Sequence, residues 1–211
     1  MKLVLNNLGK SYNNKRILDH FNLTVQSGEF IGIVGKSGSG KSTILNILGL
    51  FDNYDQGSYL IDDKRVPKIN SSAATKMIRQ KINYLFQNFA LVNNLTVQQN
   101  LLLALKYTKL TKKNQQLQID QALMRVGLSG RNKEIVATLS GGEQQQLAIA
   151  RTMLKPGELI LADEPTAALD KDNRNLVFDL LMQLNANRKT IIMVTHDLEL
   201  AKRIPRVIEI G

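Results

Sequence analysis

The stretch Gly35-Lys36-Ser37-Gly38-Ser39-Gly40-Lys41-Ser42 constrains this chain more than any other. Before it runs Phe30-Ile31-Gly32-Ile33-Val34, a short unbroken apolar segment of the kind found in strands buried on both faces. After it, Ile44, Leu45, Ile47 and Leu48 recur at helical spacing. A buried strand, a glycine-rich turn and a helix in that order fit the phosphate-loop pattern G-x4-G-K-[ST]. Its glycines let consecutive backbone N–H groups turn inward around a polyphosphate, and the helix adds the positive end of its dipole. In that arrangement Lys41 reaches the terminal phosphates and the Ser42 hydroxyl ligates Mg²⁺.

The remaining pattern extends this unit into an α/β domain. Strands are expected at Leu3 to Leu8, over the alternating stretch Leu18 to Val25, at Gly57 to Ile61 and at Ile82 to Phe86. From about Asn88 to Lys155 the periodicity is helical. Thr96 caps a helix from Val97 to Tyr107, a second runs from Gln115 to Val126, and a third runs from Gly141 to Leu154 and stops at Pro156. Strand and helix then alternate again: Leu159 to Ala162, Asn173 to Leu184, Thr190 to Thr195, a short helix, and Arg206 to Ile210.

Composition narrows the function classes. The chain has no cysteine, which removes disulfides, thiolate zinc sites and cysteine nucleophiles. Its longest apolar candidate, Leu101 to Leu105, stops at Lys106, far short of the ~18 residues that span a bilayer. The N-terminus has no apolar region long enough for a secretory signal, so an intracellular protein is expected. A net charge of +10 comes from scattered Lys and Arg, and only 5% of residues are aromatic. That reads as a solvated basic surface with weak attraction to acidic lipids, not as a nucleic-acid groove.

Two further segments carry chemistry. Leu159-Ile160-Leu161-Ala162-Asp163-Glu164 is an apolar strand that delivers two carboxylates to the carboxyl edge of the sheet, where ligands of open α/β folds bind. There Asp163 holds magnesium, directly or through water, and Glu164 is free to deprotonate an attacking water. In Leu139-Ser140-Gly141-Gly142-Glu143-Gln144, a capping box explains Ser140 and Glu143 but not two adjacent glycines, which are costly in a helix. Glycines beside a hydroxyl at a helix start make a second anion-binding end. One site has no use for it; a second copy of the chain does.

With these ordered motifs the chain resembles, over essentially its whole length, the nucleotide-binding subunit of an ATP-binding cassette (ABC) transporter. The resemblance implies a P-loop NTPase core, a mostly parallel sheet with helices on both faces, and N-terminal antiparallel strands. Residues 1–87 and 156–211 would form that core, and 88–155 an inserted α-helical subdomain. It implies a homodimer on ATP binding, with ATP and Mg²⁺ held by Gly35 through Ser42 with Thr43. Ser140, Gly141, Gly142, Glu143 and Asp170, the last in the loop Ala168-Leu169-Asp170, would act from the opposite copy. It also makes Tyr12 the aromatic that stacks on adenine, Gln87 a contact to magnesium and the attacking water, and His196 the switch histidine on the γ-phosphate. His20 matches nothing and is expected to be structural. Two departures stand out: Gln146, where the family often has arginine, and a chain that ends at Gly211 soon after its last strand.

The resemblance therefore implies an ATPase that powers a separate integral membrane permease, contacted through the Gln87–Asn100 region from the cytoplasmic face. Phe86-Gln87-Asn88-Phe89 and Leu95-Thr96-Val97-Gln98-Gln99-Asn100 resemble the macrolide-export, lipoprotein-release and cell-division branch. Export or membrane extraction is expected, with a nucleotide-gated scaffold of the cell-division kind as the alternative. Sugar importers are less favoured because they carry an extra regulatory domain. Soluble repair or translation relatives need paired cassettes or long insertions.

Overall fold

The computed structural model describes residues 1–13, 15–167 and 169–211. Among them a five-stranded, wholly parallel sheet lies beside a four-stranded antiparallel one. The antiparallel sheet takes β1 (Leu3–Tyr12), β2 (Lys15–Val25), β4 (Gln56–Ile61) and β5 (Lys64–Arg65), in the order β2-β1-β4-β5. The parallel sheet takes β3 (Phe30–Val34), β6 (Ile82–Leu85), β7 (Leu159–Asp163), β8 (Thr190–Val194) and β9 (Arg206–Glu209), in the order β6-β7-β8-β3-β9.

Period-two alternation assigns each face of the parallel sheet its own core. Ile31, Ile33, Leu159, Leu161, Ile192 and Val194 pack with α1 (Lys41–Leu48) and the antiparallel sheet. Phe30, Ile160, Ala162, Ile191 and Met193 face the other way, onto α3 (Val97–Leu105), α4 (Lys112–Arg125), α5 (Gly141–Leu154) and α6 (Lys171–Ala186). Each fully buried Leu or Ile contributes about 1.5–3 kcal/mol, so this double-sided burial fixes the strand ends that carry the chemistry.

Several elements depart from the sequence expectation for physical reasons. The expected alternation over Leu18–Val25 changes phase: Leu18 and Leu23 are both buried although they differ in parity. A bulge absorbs the extra residue, since Leu8 pairs with Phe21 but Lys10 with Leu18, and His20 between them takes a left-handed φ of 47°. His20 is exposed there, its Nδ1 2.6 Å from Asn7 Oδ1. Helix α2 (Ser72–Lys81) was not expected, because it buries only Ala74 and so has almost no apolar stripe. Helix α3 ends at Leu105, short of Tyr107, whereas α4 starts at Lys112 on a Thr111 cap, ahead of Gln115. Helix α5 keeps the bounds its motif implies.

Candidate functional site

The strand β3 feeds directly into the glycine-rich turn, and the turn into α1. Gly35 adopts a φ of 153°, and a Cβ there would sit 1.9 Å from the Ile210 carbonyl oxygen, so no other residue fits without displacing the chain after β9. Gly40 caps α1 in a left-handed conformation, φ 96°, with no side-chain cap. Among the described residues the N–H groups of Gly38, Gly40, Lys41, Ser42 and Thr43 donate to no protein acceptor, and the buried Ser39 hydroxyl has no partner. Those donors are the orphans of a helix start, and they suit an anion. Lys41, only 8% exposed, donates its Nζ to the Gly35 and Lys36 carbonyls at 2.8 and 2.7 Å.

These groups open on a cleft of about 460 Å³, which Tyr12, Ile17, Ser37, Glu164 and His196 also line. At its floor Ser42 Oγ donates to Asp163 Oδ1 at 3.2 Å, and the Tyr84 hydroxyl donates to Asp163 Oδ2 at 3.4 Å. Burial pushes the Asp163 carboxyl up, with the Glu164 charge adding, while the Ser42 and Tyr84 hydrogen bonds pull it down. Burial, with the Asp163 charge beside it, pushes the Tyr84 phenol well above its ordinary value. A hydroxyl and a carboxylate are hard oxygen donors of the kind Mg²⁺ accepts alongside substrate phosphates.

Glu164 follows the end of β7 with a left-handed φ of 45°, and its N–H donates to the Val194 carbonyl at 3.0 Å. That bend turns its carboxylate into the cleft, where Oε2 lies 2.6 Å from His196 Nδ1. His196 follows β8 and Asp197 caps α7 (Leu198–Ala201), with Arg174 Nη1 donating to Asp197 Oδ2 at 2.7 Å. The acid and the histidine thus meet although they lie on different strands.

Tyr12 stands at the cleft mouth, 42% exposed. Its hydroxyl donates to Asp52, and Lys10 Nζ sits 4.7 Å from its ring centroid while bonding Asp52 at 2.9 Å. Burial first, then the Asp52 contact, raise the Tyr12 phenol above its usual value. Lys10, Asp52, Ile17 and Tyr84 were not foreseen. Their parts depend on pairings between distant segments and leave no local signal.

The remaining sequence-expected residues lie elsewhere. None of Ser140, Gly141, Gly142 and Glu143 lines the cleft of its own chain. Ser140 caps α5 in a full capping box: its hydroxyl accepts from the Glu143 N–H at 3.3 Å, and its N–H donates to Glu143 Oε2 at 2.7 Å. The Glu143 carboxylate also pairs with Arg131, and both interactions lower it from the usual range, the Ser140 backbone bond most. A Cβ at Gly142 would meet the Asn173 side chain at 2.8 Å, whereas one at Gly141 meets nothing within 4 Å. Asp170 caps α6, accepting from the Asn173 N–H at 2.9 Å and its Nδ2 at 2.7 Å. Ala168 lies outside the described residues. Gln87 is exposed just beyond β6 and does not line the cleft. Gln146 is 9% exposed within α5.

Among the described residues no helix is long and apolar enough to cross a membrane. The family model described as ABC transporter matches residues 18–167. The chain is 42% identical to the ABC transporter ATP-binding protein YvrO of Bacillus subtilis, covering 98% of this chain and 92% of that protein. It is also 39% identical to the macrolide export ATP-binding/permease protein MacB of Mannheimia succiniciproducens; there it spans 96% of itself but only 31% of the relative. Among solved structures it resembles the ATP-binding cassette MJ0796 in a dimeric post-hydrolysis state bound to ADP and Pi, with a TM-score of 0.90, 34% identity and coverage of 99% and 94% of the two chains. The sheet order, the donor-rich turn and the acid–histidine pair sit in a chain that belongs to the ABC transporter family, as an ATP-binding subunit with relatives in the macrolide-export branch.

Proposed function

We propose that two copies of this chain close around two ATP molecules, hydrolyse them, and drive export or membrane extraction through a separate permease at the cytoplasmic face. The observation that carries this reading is the separation of two anion-binding ends. The α1 start opens into the cleft with its N–H groups unspent, while the Ser140–Gly141 tip of α5 is complete and lies off the cleft of its own chain. A neighbour's tip, carried on the helical segment 88–155 and joined by Asp170, would close the cleft from outside.

In that assembly the turn and Lys41 hold the β- and γ-phosphates, Thr43 adds a donor, and Tyr12 offers a ring face to adenine. Ser42 and Asp163 would hold Mg²⁺, with Gln87 as a third oxygen donor brought in from β6. The ion, when bound, neutralises charge on the phosphates. Glu164 orients a water and takes its proton; His196 steadies that carboxylate and reaches the γ-phosphate. Loss of the γ-phosphate removes the bridge between copies and lets them part. The MacB-named relatives support a macrolide, peptide or lipoprotein as cargo; their names describe an ATP-binding part fused to a permease.

The chain contains no cysteine, so an introduced pair reports one contact alone. In a Ser37→Cys, Gly141→Cys protein, ATP should drive disulfide crosslinking between copies, and ADP should not. ATP binding without any crosslink would overturn the shared-site reading.

A further inference from the structure

A second hollow, about 260 Å³, opens beside β6, the edge strand of the parallel sheet. One wall is aromatic: Tyr84 stacks on Phe86 with centroids 4.2 Å apart, and Phe51 tilts against Tyr84 at 5.3 Å. Phe51 and Leu103 at its margin stay 47% and 48% exposed. The opposite wall is α5, which presents Arg151 and Lys155, one turn apart.

Both cations are compensated only by dipoles. Arg151 donates to the Phe89 carbonyl at 2.8 Å and to the Ala90 carbonyl, and Lys155 Nζ donates to the Ile82 carbonyl at 2.6 Å. No carboxylate is among the groups that line the hollow or that shift either cation. Burial lowers the Arg151 guanidinium from its ordinary value, and burial with the Arg151 charge brings Lys155 down to about 8. Asn83, 1% exposed, borders the same hollow, and neither its amide nitrogen nor its amide oxygen has a partner among the described residues. An apolar margin over two like charges and an unpaired amide suits one kind of occupant. It is an apolar stretch of protein that brings a carboxylate with it, since an ion of opposite sign relieves both cations at once.

We propose that this hollow receives a segment of the membrane-embedded partner in which apolar residues cover Phe51 and Leu103 and an Asp or Glu enters between Arg151 and Lys155. This rests on the reading of the chain as the motor of a permease, and it adds the chemistry of the contact. It also gives the contact a route inward. Phe89 and Ala90 both hold left-handed backbones, φ 62° and 47°, and the Arg151 guanidinium bonds their two carbonyls. A carboxylate that draws on Arg151 competes with that turn, which lies two residues past Gln87.

The test uses the full chain with the polytopic membrane protein encoded beside its gene, purified in detergent. Lys155→Met and Leu103→Asp should each weaken the complex tenfold or more while leaving the ATPase rate of the chain alone unchanged. Wild-type binding should also fall as salt rises. A photo-crosslinking amino acid in place of Leu103 should capture a permease segment that contains Asp or Glu, and neutralising that residue should weaken binding as much as Lys155→Met does. Affinities within twofold of wild type for both variants, or a captured segment without a carboxylate, would overturn the proposal while leaving the motor reading intact. Failure of the unaltered chain to bind any such permease would overturn the motor reading, and this proposal with it. Sedimentation with phosphatidylglycerol vesicles that Lys155→Met abolishes, with permease binding unaffected, would reassign the hollow to lipid and also overturn it.

Discussion

Helices α1 and α5 begin in opposite ways. The α1 start has a left-handed glycine for a cap, no side chain to satisfy its donors and a cluster of N–H groups facing open space. The α5 start is closed on itself: Ser140 and Glu143 exchange hydrogen bonds, and Arg131 clamps Glu143 while also bonding Glu134. One end leaves its donors to an outside anion; the other is rigid before anything arrives. A cap contributes about 1 kcal/mol, so leaving α1 uncapped is a real sacrifice of local stability, made where a polyphosphate would repay it. A self-capped tip cannot grip with its side-chain oxygens in the same way. It offers a preset surface at the serine and at Gly141.

That contrast can be broken experimentally, beginning with the largest effect. Replacing Glu164 by Gln removes the proton acceptor but keeps the cleft's donors, so turnover should fall by about 10²–10⁴-fold. ATP affinity should persist and a nucleotide-bound dimer should accumulate on size exclusion; unchanged turnover would remove Glu164 from its proposed role. Lys41→Ala strips the only cation that lines the cleft, and a fluorescent-nucleotide titration should show at least about a tenfold loss of affinity, the weight of 1.4 kcal/mol. Near-normal affinity would mean the α1 start is not the phosphate site.

The α5 tip allows a sharper division. Ser140→Ala should cost about 1 kcal/mol of stability, seen as a lower unfolding midpoint, because it destroys the capping box. Gly141→Leu has open space around it, so it should fold almost as well as the native chain yet lose ATP-driven dimerisation. Equal dimerisation by both proteins would show that Gly141 faces nothing in the assembly.

The smallest effect compares a paired cation with an unpaired one. Arg131 bonds two carboxylates, whereas Lys155 has none, and burial depresses it to about 8 from 10.5. A lysine depressed in the folded state binds fewer protons there than when unfolded between those two values. Stability should therefore rise with pH from about 8 to 10.5, with a slope of at most about 1.4 kcal/mol per pH unit. In Lys155→Met that contribution to a denaturant titration should vanish; an identical pH slope in both proteins would show that Lys155 titrates normally.

What was legible in the sequence followed the range of each interaction. The turn Gly35–Ser42 and the capping box of α5 are local, so their residues and bounds were readable from spacing alone. Helix α2 was not, because with one buried residue nothing periodic marks it. The phase change in β2 arises from its pairing with β1, and the support of Asp163 by Tyr84 joins residues 79 apart in the chain. The Lys10–Asp52 brace on Tyr12 is of the same kind. The doubled glycine divides in the structure: Gly142 answers to the Asn173 side chain of its own chain, which leaves Gly141 as the position still calling for an external partner.

The internal engagement of Lys41 by the two carbonyls of its own turn has a thermodynamic consequence. Nucleotide binding there is an exchange of hydrogen-bond acceptors, so the net gain is a difference between two sets of bonds. Discrimination between tri- and diphosphate then depends on how many turn carbonyls the ammonium must give up, and a terminal phosphate that cannot outcompete both leaves the side chain where it began.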